Sequence, residues 1–157
     1  MTAPWRLLTI AGLLLCALPK HVSAACSVTT LTLAFGNFSP LSFRPHDSVG
    51  NIAVTCTGTP GAAVRYSLVL NPGSGGTFAQ RRMRLGSGAT LNYNIYADAA
   101  RSIVWGDGNS GSLVVADAYS LAGLSVTRNY PVYGRIFGNQ NAPVGVYTDS
   151  ILVTLHF

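Results

Sequence analysis

The side chains able to do chemistry in this sequence are few and scattered. Glu is absent, and the five carboxylates are Asp47, Asp98, Asp107, Asp117 and Asp149. Paired-carboxylate hydrolysis would need two of these aspartates side by side. Asp47 follows His46 in a stretch expected to be a Pro-bounded loop, but no nucleophile stands at a spacing that would make His46 a base, and no Gly-x-Ser-x-Gly elbow occurs. Gly73-Ser-Gly-Gly76 lacks the Lys-Ser/Thr that reaches phosphates and opens no helical pattern, so it reads as a loop. Asp107-Gly-Asn-Ser-Gly111 begins like a calcium loop, yet its fifth position is Gly111 and its twelfth Ala118, so the ligand set fails. No enzyme, cofactor or metal site is expected.

The first residues look like an address. Arg6 supplies a positive start, Leu7 to Leu18 an apolar run, and Val22-Ser-Ala24 a small-residue cleavage site ahead of Ala25. A spanning helix needs about 20 apolar residues, so this run is too short to cross a bilayer. Residues 1–24 are therefore expected to be a signal peptide cut between Ala24 and Ala25, and residues 25–157 one exported domain. Cys16 follows Leu15, where a lipid-modified cysteine usually follows a small residue.

After cleavage the chain carries eight Arg against five Asp, a balance of +3 with no Lys. Only Arg81-Arg82-Met83-Arg84 is a cluster. Nucleic-acid binding would need a basic face interleaved with aromatic platforms, and the cluster reads instead as charge guarding a strand edge. Two cysteines remain, Cys26 and Cys56, and in an oxidising compartment they are expected to be bridged. With His46 and His156 they show no metal-ligand spacing.

What would position these residues is a series of short alternating apolar runs separated by turn residues, the pattern of an all-β sandwich. Leu31, Leu33 and Phe35 share a face; so do Ile52, Val54 and Cys56, then Tyr66, Leu68 and Leu70. Met83 and Leu85 mark a fourth run, and Leu91, Tyr93 and Ile95 a fifth, with a continuation allowed into Ile103 and Trp105. Leu124 and Val126 follow, then residues 132–137. No run has the 3.6 period of a helix.

The last run, Pro143 to Phe157, organises the rest. Ile151, Val153, Leu155 and Phe157 alternate onto one wholly apolar face. Such a strand must lie on a core, and its second edge must be filled by an earlier strand or by one lent from another molecule. If it is unfilled, these four side chains flank a wet groove. At roughly 1.5–3 kcal/mol per large apolar side chain left unburied, the deficit is on the order of 10 kcal/mol, comparable with a small domain's entire stability.

Cys26-Ser-Val, Phe35-Gly36, Gly50-Asn-Ile-Ala-Val-Thr-Cys56, Arg82-x-Arg84, Leu91-Asn-Tyr93-x-Ile-Tyr96-x-Asp98, Trp105-Gly-Asp107-Gly, Tyr133-Gly-Arg-Ile136, Gln140 and Gly145-x-Tyr147-x-Asp149-Ser-Ile-Leu-Val-Thr154 occur in one order. In that order the chain resembles the spore coat protein U domain family, which includes the Csu-type pilins of the archaic chaperone–usher pathway. The resemblance covers essentially all of residues 25–157. It implies an immunoglobulin-like, pilin-type β-sandwich whose final strand is missing from its own sequence. A periplasmic pilus chaperone would fill the gap first, and the N-terminal extension of another pilin subunit would then replace it at an outer-membrane usher. The chain would end as part of a surface fimbria serving attachment and biofilm. The Phe157 carboxylate would suit a basic anchor in the chaperone.

One departure shapes the expectation. Only Ala25 precedes Cys26 after cleavage, where a shaft subunit needs a donor segment about as long as a strand. The chain is thus expected to accept a strand but not to lend one, as a tip or chain-ending subunit, or as a coat protein not polymerised by exchange. The alternative is a self-contained secreted coat or carbohydrate-binding module whose Tyr96, Trp105, Tyr119 and Tyr130 stack on sugar.

Overall fold

The computed structural model describes residues 24–39, 42–86 and 88–157. The expected signal peptide, Ala24 apart, lies outside the described residues. Eight strands form among the described residues, and no helix: β1 (Ala25–Leu31), β2 (His46–Thr57), β3 (Ala63–Leu70), β4 (Arg81–Arg84), β5 (Thr90–Tyr96), β6 (Val115–Ser120), β7 (Ser125–Ile136) and β8 (Val153–His156).

They make two antiparallel sheets, one ordered β1-β2-β7-β5-β4 and the other β6-β3-β8. Period-two alternation turns Ile52, Val54 and Cys56 of β2 inward, with Val64, Tyr66, Leu68 and Leu70 of β3 and Leu91, Tyr93 and Ile95 of β5. Between them lies Trp105, whose indole Nε1 donates to the Leu68 carbonyl at 3.1 Å. Cys26 faces Cys56 across the β1–β2 ladder and the two are bridged.

Several elements depart from the sequence reading. The first run pairs earlier than Leu31, Leu33 and Phe35 suggested. Ala25 to Leu31 is held to β2 in continuous register, and residues 33–35 continue beyond the ladder. His46 and Asp47, expected in a loop, begin β2, because they pair with Ile136 and Arg135 of β7. Arg135 grips Asp47 with two hydrogen bonds of 2.7 and 2.8 Å. The runs at Leu124–Val126 and 132–137 fuse into β7, whose central Pro131 is tolerated beside Asn51.

β6 was not anticipated, because its inward side carries a carboxylate. Asp117 is satisfied there by Tyr130 Oη at 2.5 Å and Arg128 Nη1 at 2.9 Å. Ile103 and Trp105 do not extend β5. They lie in a connection tied by single bridges, Tyr96 to Val104 and Trp105 to Leu113.

Candidate functional site

β8 lies at the edge of its sheet. Its residues pair on one side with β3, Val153 to Leu70 through His156 to Ser67, and among the described residues its other side meets no strand. Beside that open edge runs an apolar groove of about 740 Å³. Its floor is the core itself: Ile52, Leu70, Met83, Leu91, Tyr93, Ile95, Val132 and Ile136. One wall is residues 30–38, the continuation of β1. The other is residues 142–149 with Ile151 and Val153.

Beyond Leu31 the first wall has no ladder partner yet is fixed. Ser48 Oγ donates to the Ala34 carbonyl at 2.5 Å, and His46 Nε2 donates to the Phe35 carbonyl at 2.6 Å. Phe35 packs edge-on against Tyr93 at 6.0 Å between ring centres. Gly134 beneath this wall is required by close approach. A Cβ there would lie 2.6 Å from Leu33 Cδ2 and 2.7 Å from Phe35 Cζ.

The second wall changes sheets as it runs. Thr148 exchanges backbone hydrogen bonds with Arg84 of β4 at 2.8 and 3.0 Å, while five residues later Val153 pairs with β3. Between these points Asn71 accepts the Leu152 amide on its side chain at 2.9 Å and donates its own amide to the Leu152 carbonyl at 3.1 Å. The Asp149 carboxylate takes the Ser74 amide and hydroxyl at 2.9 and 2.6 Å and the Tyr93 hydroxyl at 2.8 Å. Burial, and then the hydrogen bond to Asp149, push the Tyr93 hydroxyl well above its ordinary pKa. Val144 and Val146 on this wall stand 98% and 78% exposed, an apolar rim with nothing upon it.

The groove residues expected from sequence divide. Ile151 and Val153 line the cavity. Leu155 packs against the core opposite Leu68 and lies outside the lining, and Phe157 stands exposed beyond the end of β8. The first wall, the floor and the Asp149–Tyr93–Ser74 tie were not assigned to the site. Leu33 and Phe35 on one face, and Asp149 closing Gly145-x-Tyr147-x-Asp149, were the available signals. At the expected cleavage point Ala24 packs on the core margin and Ala25 opens β1.

The aromatic residues of the sugar-binding alternative form no platform. Trp105 and Tyr96 are buried at 1% and 8% exposure. Arg128 lies over the Tyr119 ring at 4.0 Å, and the Tyr130 hydroxyl meets that of Tyr66 at 2.5 Å. Among the described residues no three His, Cys, Asp or Glu side chains gather as metal ligands.

The Spore Coat Protein U domain family matches residues 13–154. Protein U of Myxococcus xanthus is 31% identical over 149 residues, covering 87% of this chain and 80% of that protein. A chain in the crystal structure of the CsuC-CsuE chaperone-tip adhesion subunit pre-assembly complex, from the archaic chaperone-usher Csu pili of Acinetobacter baumannii, shares the fold. Its TM-score is 0.55 at 20% identity, over 86% of this chain and only 40% of that one. Together with the two-sheet topology, these matches mean that the chain belongs to the Spore Coat Protein U domain family, built as an immunoglobulin-like, pilin-type sandwich.

Proposed function

We propose that the protein is a structural subunit of a surface fimbria that takes a strand from another molecule into the groove beside β8. The observation that carries this reading is the pairing of a free backbone edge with an apolar trough on one side of the sandwich. An added strand would satisfy both at once, main-chain hydrogen bonds giving affinity and side-chain seats giving selectivity. A periplasmic chaperone would be the first occupant and another pilin the second, with an outer-membrane usher handling the exchange. The relative's pre-assembly complex supports this by analogy. Phe157 stands exposed past the open edge, within reach of an occupant of the groove.

The finer reading is a tip or chain-ending subunit concerned with attachment and biofilm. Residues from Ala25 onward are already held in register by β2 and by the Cys26–Cys56 bridge, so cleavage after Ala24 would leave no strand to lend. N-terminal sequencing of the exported protein checks that cleavage.

The groove is tested with oxidised residues 25–157 and a synthetic peptide of about ten alternating Val and Thr residues, one strand long. A peptide held at 100 times its Kd should stabilise the chain by about 2.7 kcal/mol and raise Tm by several degrees. Val153→Asp should abolish the rise. A chain whose melting is indifferent to every strand-forming peptide and to coexpressed pilus chaperones would end the proposal.

A further inference from the structure

Resting on the strand-acceptor reading, a second question is what holds the groove open before any strand arrives. An apolar trough with mobile walls would close on itself or would spend much of its binding energy on being ordered. The weak point is the wall at residues 149–152, where the chain leaves the β4 side of one sheet and has not yet joined the β3 side of the other. No ladder covers Asp149 or Ser150.

We propose that Asp149 is the positioning residue of this groove, a latch that sets the second wall in its strand-accepting place. Its carboxylate reaches two separate parts of the fold. Oδ1 accepts the Ser74 amide and hydroxyl from the connection between β3 and β4, and Oδ2 accepts the Tyr93 hydroxyl from the floor. Oδ1 also takes the Ser150 amide, which fixes the wall's own backbone to the same group.

The surrounding chain is shaped to admit the carboxylate. Gly73 has φ of +84°, and a Cβ there would fall 2.2 Å from Asp149 Oδ2. Asn71, two residues earlier, repeats the arrangement for Leu152. Among the described residues Asp149 has no cation within ion-pair distance, so hydrogen bonds are its direct holds. Hydrogen bonds to an ionised acceptor are the stronger kind. The result is a wall ordered at no cost to the incoming strand.

The test is amide hydrogen exchange on the oxidised chain, read at Thr148 and Leu152. Their acceptors, the Arg84 carbonyl and Asn71 Oδ1, are untouched by substitution at 149. Asp149→Ala removes every hydrogen bond to the carboxylate and should speed exchange at both amides by about tenfold or more, at least the worth of one charge-assisted hydrogen bond, while β2 and β7 amides stay protected. Affinity for the Val-Thr peptide should fall by a similar factor. Asp149→Asn, which keeps an acceptor for the Ser74 amide, should recover most of both, and Tyr93→Phe should lie between.

Unchanged exchange at Thr148 and Leu152 in Asp149→Ala would overturn the latch. So would a uniform rise across all strands, which would make Asp149 merely a contributor to global stability. A wild-type wall that is protected, and loosened by Asp149→Ala, in a chain that binds no strand would uphold the latch and remove the acceptor reading instead.

Discussion

Arg81 donates a 2.8 Å hydrogen bond from Nη2 to the carbonyl oxygen of Trp105, and neither residue is reached by solvent beyond 1%. The same guanidinium bonds Asn94 Oδ1 at 2.7 Å and the Asn71 carbonyl at 3.1 Å, so one buried cation fastens strand β5 and two connections with neutral acceptors alone. The sequence reading placed Arg81 in a solvated basic cluster with Arg82 and Arg84. The structure corrects this: β4 alternates, sending Arg81 inward and Arg82 and Arg84 outward.

Removing that cation should be costly. Arg81→Met takes a donor from three acceptors, of which Asn94 Oδ1 keeps the Ile95 amide, and about 3 kcal/mol of stability should be lost. The check is a urea titration in which the midpoint falls while the slope stays near wild type. Arg82→Met, on an exposed position of the same strand, should shift the midpoint little.

Stability should fall away at both ends of the pH scale, for opposite reasons. The hydrogen bonds from Arg135 hold the Asp47 carboxyl below the usual range. Burial alone would raise Asp117, but the Tyr130 hydroxyl, the Ala118 amide and Arg128 bring it below its ordinary value too. A depressed carboxylate stabilises fully above the unfolded pKa of about 3.9 and loses that contribution as pH falls through the folded value. Melting temperature should therefore drop below about pH 4, and less steeply in Asp47→Asn.

The tyrosines work the other way. Burial raises Tyr66, Tyr93, Tyr96 and Tyr130, with Asp117 adding to the rise at Tyr130. A raised group stabilises fully below the unfolded pKa of about 10 and ceases to do so as pH climbs through the folded value. Ultraviolet titration should find these four un-ionised above pH ~10 until the chain unfolds.

The Gly134 seat offers a test of the first groove wall. Gly134→Ala places a methyl group against Leu33 and Phe35, and overpacking of this kind costs about 1–3 kcal/mol. Because residues 33–35 lie outside any ladder, that wall should yield first, so peptide affinity should drop more than the urea midpoint. Equal losses in both would show that the wall is as rigid as the core.

Much of the architecture was legible because period-two alternation is written directly into side-chain polarity. Ile52, Val54 and Cys56, or Tyr66, Leu68 and Leu70, could hardly face anywhere but inward, and the bridge between Cys26 and Cys56 was expected from their number and the export signal read in residues 1–24. Two of the failures share one cause. β6 carries Asp117 inward and β4 carries Arg81 inward, so polarity pointed the wrong way until tertiary partners were seen. The groove was half legible: Ile151 and Val153 came from the alternation of the last run. Residues 32–38 have no ladder of their own, and the Asp149 tie joins residues 56 and 75 positions apart.

The crossing of the last run from one sheet to the other has a mechanical consequence. Traction on the carboxyl-terminal end reaches β3 through four paired positions and β4 through the Arg84–Thr148 bridge. Because Val153 to His156 lie nearer the pulled end than Thr148, the β3 ties bear the load first and the β4 bridge second, and the last run comes free only when both layers have let go.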